Sequence, residues 1–343
     1  MKRVLAVAVL LCLQGMAGTS HANSRLYGDP TSSSSLVASN RSVSGVSSDV
    51  VVRKERGTSA RNERVTYSRG GSKSFNSQPV GSYSNGCLIN GIQANSNAPY
   101  YQLYHPQNNR HFGDITLLNF LDRYSRAVHK AGIESVLVGD MSSRYGGPFN
   151  KGHASHQIGL DVDIEFSLRR LPKSKLETKG NAVLLVDRGA MTVNSNFNRK
   201  YYDMLMIAAH DPEVERIFVN PALKVAMCDM TKDEREQPYL RKIRPWFGHA
   251  EHFHVRLKCP AGAVNCVRQD KPEPRYSIAQ EKEEALSWFE PKQEVKPAQV
   301  KPADLVARLA SAKPKPKQGF PEQCSIYYQS MNVSVPVKKS TRR

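Results

Sequence analysis

Two stretches of this 343-residue chain concentrate side chains able to do chemistry. Residues 152–165 read GHASHQIGLDVDIE, with His153 and His156 ahead of Asp161, Asp163 and Glu165. Residues 251–257 read EHFHVRL, with Glu251, His252 and His254. Imidazoles and carboxylates gathered this densely are costly to bury unless they are paired or coordinated. In IGLDVDIEF and in HFHVRLK polar and apolar residues alternate, the mark of a strand with one face in a core. Alternate residues share a face, so Asp161 points with Asp163 and His252 with His254. His156 lies a few residues ahead of the first strand, close enough to curl towards Asp163 through the Gly159 turn. His156, Asp163 and His254 then offer two imidazoles and one carboxylate, with a fourth position left for water. That is the composition of a catalytic zinc site rather than a closed structural one. A metal held so lowers the pKa of water to about 7 and polarises a carbonyl.

The elements around these stretches read as one domain. Asp114 caps the helical stretch ITLLNFLDRYSRAVHKAG, which Gly132 ends. SVLVGDMS follows as a strand, then the Gly-rich loop RYGGPFNKGHAS. RKYYDMLMIAAH reads as a second amphipathic helix, VERIFVN as a strand, and PALKVAMC as a helix with Pro221 at its first position. Strands and helices follow one another without repeated βαβ units, which predicts an α+β fold with a small antiparallel sheet carrying the site.

The chain begins with Lys2 and Arg3, an apolar run and Ser20-His21-Ala22, which reads as a secretory signal peptide over 1–22. Residues 23–83, rich in Ser, Gly and Arg, read as a disordered arm. Residues 84–290 read as the folded domain, and 291–343 as a Lys/Pro-rich tail. No other segment approaches the length of a membrane span, so the mature protein is expected to be exported and not integral to a membrane. Without Cys12, five cysteines remain, an odd number. In an oxidising compartment they are expected mostly in disulfides. Cys259 and Cys266 form the obvious local pair, and Cys324 is placed to tie the tail back to Cys87. The formal charge is +18. For an exported protein this suggests an anionic envelope surface as partner, met by the basic arm and tail, rather than nucleic acid.

The motif ASHQIGLDVD followed by a distant His-x-His resembles the zinc D-Ala-D-Ala peptidases, which share a fold with hedgehog signalling domains. GDMSSRYGGPFNKGHASHQIGLDVDI, RIFVNPALK and IRPWFGHAEHFHVRLKCP are similar to the penicillin-insensitive murein endopeptidases within that group. The resemblance implies one zinc ion bound by His156, Asp163 and His254. It also implies cleavage of D-alanyl-diaminopimelyl crosslinks in peptidoglycan, without inhibition by β-lactams. It sets His153 beside the metal and has His249 and His252 line the site. An accessory Asp-x-x-His of the family would fall near LVDRGAMTV, which has no His, so a single metal is expected. Of the three disulfides the resemblance implies, Cys259–Cys266 and Cys87–Cys324 fit two, and Cys228 has lost its partner.

A group near the metal must accept the proton of the attacking water and pass it to the leaving amine. His252 is the first candidate because it shares a face with His254; Glu251 is the second, though alternation points it away. Arg144 is a candidate for orienting a substrate carboxylate, and Asp161 for supporting the ligands. Arg244 and Arg256 read as scaffold, and Trp246 as core or a wall of the cleft. The whole reads as a periplasmic zinc murein endopeptidase. The alternatives are a zinc D-Ala carboxypeptidase or a non-catalytic zinc-bearing wall-binding protein.

Overall fold

The computed structural model describes residues 52–56, 63–67, 77–150, 152–270, 274–290 and 319–334. The expected signal peptide, much of the arm and most of the Lys/Pro-rich tail lie outside these residues. The strands of the first half are β1 (Val52–Arg56), β2 (Glu63–Tyr67), β3 (Gln78–Ser82), β4 (Asn85–Ile89), β5 (Ile92–Gln93), β6 (Tyr101–Leu103) and β7 (Phe112–Gly113). Helix α1 (Ile115–Lys130) leads to β8 (Val136–Val138), and β9 (Asp161–Glu165) to the short α2 (Lys173–Leu176). β10 (Val186–Asp187) and β11 (Thr192–Val193) form a small ribbon. After it come α3 (Arg199–His210), β12 (Val214–Val219), α4 (Pro221–Met230) and α5 (Gln237–Leu240). β13 (Ile243–Pro245), β14 (His252–Leu257), α6 (Ile278–Leu286) and a C-terminal helix, Glu322–Ser330, complete the described elements.

The two alternating stretches are β9 and β14, and they pair antiparallel with His254 opposite Asp163 and His252 opposite Glu165. They lie at the centre of a six-stranded sheet of order β13-β12-β14-β9-β8-β6. The expected α+β fold is present, and its antiparallel sheet is the middle of a larger mixed one. β12, β14, β9 and β8 run antiparallel, whereas β13 pairs parallel to β12 and β6 parallel to β8. Both parallel pairs join strands separated by helix, α4 and α5 in one case and α1 in the other, since a tight turn cannot return a chain in the same direction.

The expected caps form. Asp114 accepts from the Thr116 backbone N–H at the start of α1, and Asn220 accepts from Ala222 ahead of Pro221 in α4. One face of the central strands, with Val162, Ile164, Phe253, Val255 and Leu257, is fully buried in a core shared with Leu117, Leu121, Leu205 and Tyr124. Burying aliphatic and aromatic side chains of this kind stabilises the fold by about 1.5–3 kcal/mol each before entropy is counted. The opposite face carries Asp161, Asp163, Glu165, His252 and His254. The ordered fold takes in residues expected in the arm: β1 pairs with β2 and β3 with β4.

Cys87 on β4 is bridged to Cys324 on the C-terminal helix, and Cys259 to Cys266. Cys228, expected without a partner, is a buried free thiol. Tyr327 and Tyr328 seat the C-terminal helix: the hydroxyl of Tyr327 accepts from Asn90 N at 3.0 Å, and that of Tyr328 donates to Tyr145 O at 3.1 Å. Among the described residues no helix is long and apolar enough to cross a membrane.

Candidate metal centre

β9 and β14 set Asp163 and His254 side by side because the register places them opposite each other on the face away from the core. His156 arrives from the loop before β9 and is held by its own backbone. Its φ is 67°, in the left-handed region, and its N–H donates to Asp161 Oδ2 at 3.0 Å. Gly159 makes the turn between them at φ 71°, where a Cβ would meet Leu88 Cδ2 at 2.7 Å and the Asp114 nitrogen at 2.9 Å.

The carboxylate of Asp163 is surrounded by four histidines. Its Oδ1 lies 3.2 Å from His254 Nδ1 and 3.4 Å from His156 Nε2. Its Oδ2 lies 3.5 Å from His153 Nδ1 and 4.0 Å from His252 Nε2. The ligand atoms of His153, His156 and Asp163 all fall within 4.8 Å of one another.

Hydrogen-bond partners settle which ring nitrogens carry protons in the neutral rings. His156 Nδ1 lies 2.7 Å from the Met141 carbonyl, which can only accept, so the proton is on Nδ1 and Nε2 presents a lone pair. His254 Nε2 lies 2.9 Å from Asp161 Oδ1, so its proton is there and Nδ1 presents a lone pair. Three lone pairs therefore face one another: His156 Nε2, His254 Nδ1 and Asp163 Oδ1. His156 Nε2 and Asp163 Oδ1 are buried without a hydrogen-bond partner. An arrangement of acceptors alone is unfavourable in a buried place. A divalent cation resolves it, and two neutral imidazoles with one carboxylate fit zinc.

Charge around the cluster is organised to the same end. Burial would raise Asp163, but His156 and His252 outweigh it and hold its pKa well below the carboxylate range. Asp161 is fully buried and is held low against burial by Arg256 and His254. It accepts from Arg256 Nε at 2.7 Å as well as from His254. Burial alone would lower His254, but Asp161 and Asp163 raise it above its ordinary value. Burial lowers His252, with Asp163 opposing, and lowers His249 to about 4, helped by His252 and His254.

The structure brings His153, His156, Asp161, Asp163, His249, His252 and His254 together. The His249 ring lies 5.0 Å from that of His252, tilted by 57°. Glu251 stays outside: its exposed carboxylate pairs with Arg188 at 2.9 Å, as strand alternation requires. Arg144 is exposed over the Tyr145 ring, beside the C-terminal helix, and not at the cluster. Arg244 and Arg256 are scaffold, paired with Glu284 and Asp161. Trp246 is not core; it is 54% exposed.

Two neighbours, Asp140 and Arg110, went unread as site residues. Asp140, just beyond β8, accepts from Arg110 Nη1 at 2.7 Å and lies 3.1 Å from His153 Nε2. That contact puts the His153 proton on Nε2 and turns its Nδ1 lone pair towards Asp163. Arg110 in turn lies 4.1 Å over the Phe149 ring. Glu165, opposite His252, is pushed well above its ordinary pKa by burial, then by Asp163 and Asp140. Its place on the face of Asp161 and Asp163 was legible in the alternation. Asp140 had only its position at a strand end, and Arg110 lies in NNRHFG, which has no pattern.

A family model for penicillin-insensitive murein endopeptidase matches residues 79–327 and so spans the whole cluster. A penicillin-insensitive murein endopeptidase of Klebsiella pneumoniae is 41% identical over 231 residues, 67% of this chain and 81% of its own length. One from Haemophilus influenzae is 41% identical over 215 residues, 62% of this chain and 73% of the relative. One from Escherichia coli is 40% identical over 230 residues, 66% and 80%.

Proposed function

This chain belongs to the penicillin-insensitive murein endopeptidase family and is a metallopeptidase of murein; from that premise we propose that its metal is a single zinc ion held by His156, Asp163 and His254. The bond cleaved is the D-alanyl-meso-diaminopimelyl crosslink of peptidoglycan. The observation that carries this reading is the meeting of three lone pairs at the buried Asp163 Oδ1, two of whose atoms have no hydrogen-bond partner.

Zinc bound there supplies a Lewis acid for the scissile carbonyl and lowers the pKa of water to about 7. The chain's own residues do the rest. Asp161 holds His254 through Nε2, and the Met141 carbonyl holds His156 through Nδ1, so each ring presents a fixed lone pair. Asp140 orients His153 at the rim. His252 is 24% exposed at its side chain and kept neutral by burial, so it can take the proton of the attacking water and return it to the leaving amine. No serine acylation enters this scheme, in keeping with insensitivity to β-lactams.

The apolar run and small residues of the first 22 positions support export to the periplasm, and the charge of +18 supports a hold on anionic envelope polymers through the arm and tail. The test is digestion of purified sacculi by the zinc-loaded protein, the chelated protein and His254→Ala, with chromatography of the products. Crosslinked dimers are expected to become monomers with the loaded wild type alone. Survival of dimers in every arm sinks the endopeptidase reading, and loss of terminal D-Ala alone indicates a carboxypeptidase.

A further inference from the structure

A chain of aromatic contacts leads from the metal centre to the surface. His254 meets Phe218 at 5.4 Å between ring centroids, Phe218 meets Trp246 at 5.8 Å, and Trp246 meets Trp288 at 5.8 Å. Trp288 then meets Phe247 at 5.6 Å, and Phe247 meets Phe289 at 6.3 Å. Trp246 is 54% and Phe247 50% exposed, although rings of this size gain most by burial. An apolar face in water beside a catalytic centre marks an interaction surface.

The face is preset by its supports. The backbone N–H of Trp246 donates to the Val219 carbonyl at 2.7 Å, anchoring the main chain just past β13. Trp288 and Phe289 follow α6, which is fastened by the fully buried pair Lys224–Glu281 at 2.9 Å and by Arg244–Glu284 at 2.9 Å. Lys224 and Arg244, the cations that fasten α6, are both paired with carboxylates. The rings offer flat apolar faces, which suit a ligand with C–H surface to cover.

We propose that Trp246, Phe247 and Trp288 form a platform for the glycan strand of murein, seating a sugar of the strand from which the cleaved peptide stem hangs. The proposal rests on the murein endopeptidase reading. Pyranose rings present apolar C–H faces that lie on aromatic planes while their hydroxyls stay in water. Every peptide stem of murein is covalently joined to such a sugar, so a peptide at the metal centre brings its glycan alongside. The ring path is continuous with His254, so the platform adjoins the metal centre that the peptide enters.

The chain has two tryptophans, both on this platform, so tryptophan emission excited selectively, beyond the absorption of its 14 tyrosines, reports on this face alone. Titration with peptide-free glycan oligomers is expected to shift or quench the emission saturably, in wild type and in Trp246→Phe. The second readout is the ratio of kcat/KM for crosslinked dimers carrying their disaccharides to that for the same dimers stripped of sugar. Trp288→Ala is expected to lower this ratio about fivefold, through KM, and Trp288→Tyr to retain it. An unchanged ratio together with silent fluorescence overturns the platform. So does a dimer in sedimentation that Trp288→Ala dissociates, which makes the face a self-interface. If the wild type cleaves neither dimer, the endopeptidase reading falls instead.

Discussion

Asp163 has more nitrogen lone pairs facing it than hydrogens to satisfy it, and the residues behind those nitrogens decide that. Asp161 is the one to test, because it fixes the His254 tautomer without reaching the metal. Asp161→Asn is expected to weaken zinc binding by about 10–100-fold, read by competition with a chelating dye; an unchanged affinity refutes the orienting role. His249 gives a pH signature. Its folded value of about 4 lies below the ordinary 6.5, so between these the unfolded chain binds a proton that the folded chain does not. Stability of the metal-free protein should therefore rise with pH across that window and lose ground as pH falls through it. Thermal unfolding at several pH values should show this slope, and His249→Gln should flatten it. At this scale the sequence was readable where residues sit on strands: alternation alone pairs Asp161 with Asp163 and His252 with His254, and turns Glu251 away. Asp140, Arg110 and Phe149 sit on connections, whose paths no periodicity encodes.

Between residue and molecule, the turn at Gly159 couples two elements. Its carbonyl accepts from Asp114 N at 2.9 Å, at the cap of α1, while its φ of 71° brings β9 in behind His156. Gly159→Ala is expected to cost on the order of 1–3 kcal/mol from the backbone, with the Leu88 contact adding to it. Both the melting temperature and zinc affinity should fall; a loss of stability with unaltered affinity separates the turn from the site. β9, β14, α1, α3 and α4 could be read from alternation, helical spacing and caps. β6 and β13 could not: YQL and IRP are too short to show a period and lack the Val-rich run that marks β8, and their parallel pairing is set by the crossover helices. Of the two readings of Trp246, core and cleft wall, the core one fails for a related reason: residue type favours the core, but the residue follows an edge strand, where only one side is covered.

At the scale of the molecule, the bridge Cys87–Cys324 spans 237 residues and Cys259–Cys266 spans 7. By loop entropy the first restricts the unfolded chain by about 5 kcal/mol and the second by about 2 kcal/mol. Cys324→Ser is accordingly expected to lower the melting temperature more than Cys266→Ser, measured by calorimetry; the reverse order contradicts the entropic account. Both pairs were suggested by the cysteine positions, but the C-terminal helix that presents Cys324 was not, since EQCSIYYQS carries little amphipathic pattern. The longer bridge also makes a covalent hoop that contains every candidate ligand from His153 to His254. The exposed turn between β10 and β11, with Arg188 and Met191, interrupts the hoop between the two halves of the metal centre. A hoop cut once remains one piece, so a protease nick there releases no fragment and leaves both halves tethered to each other. Such damage stays hidden until the bridge is reduced.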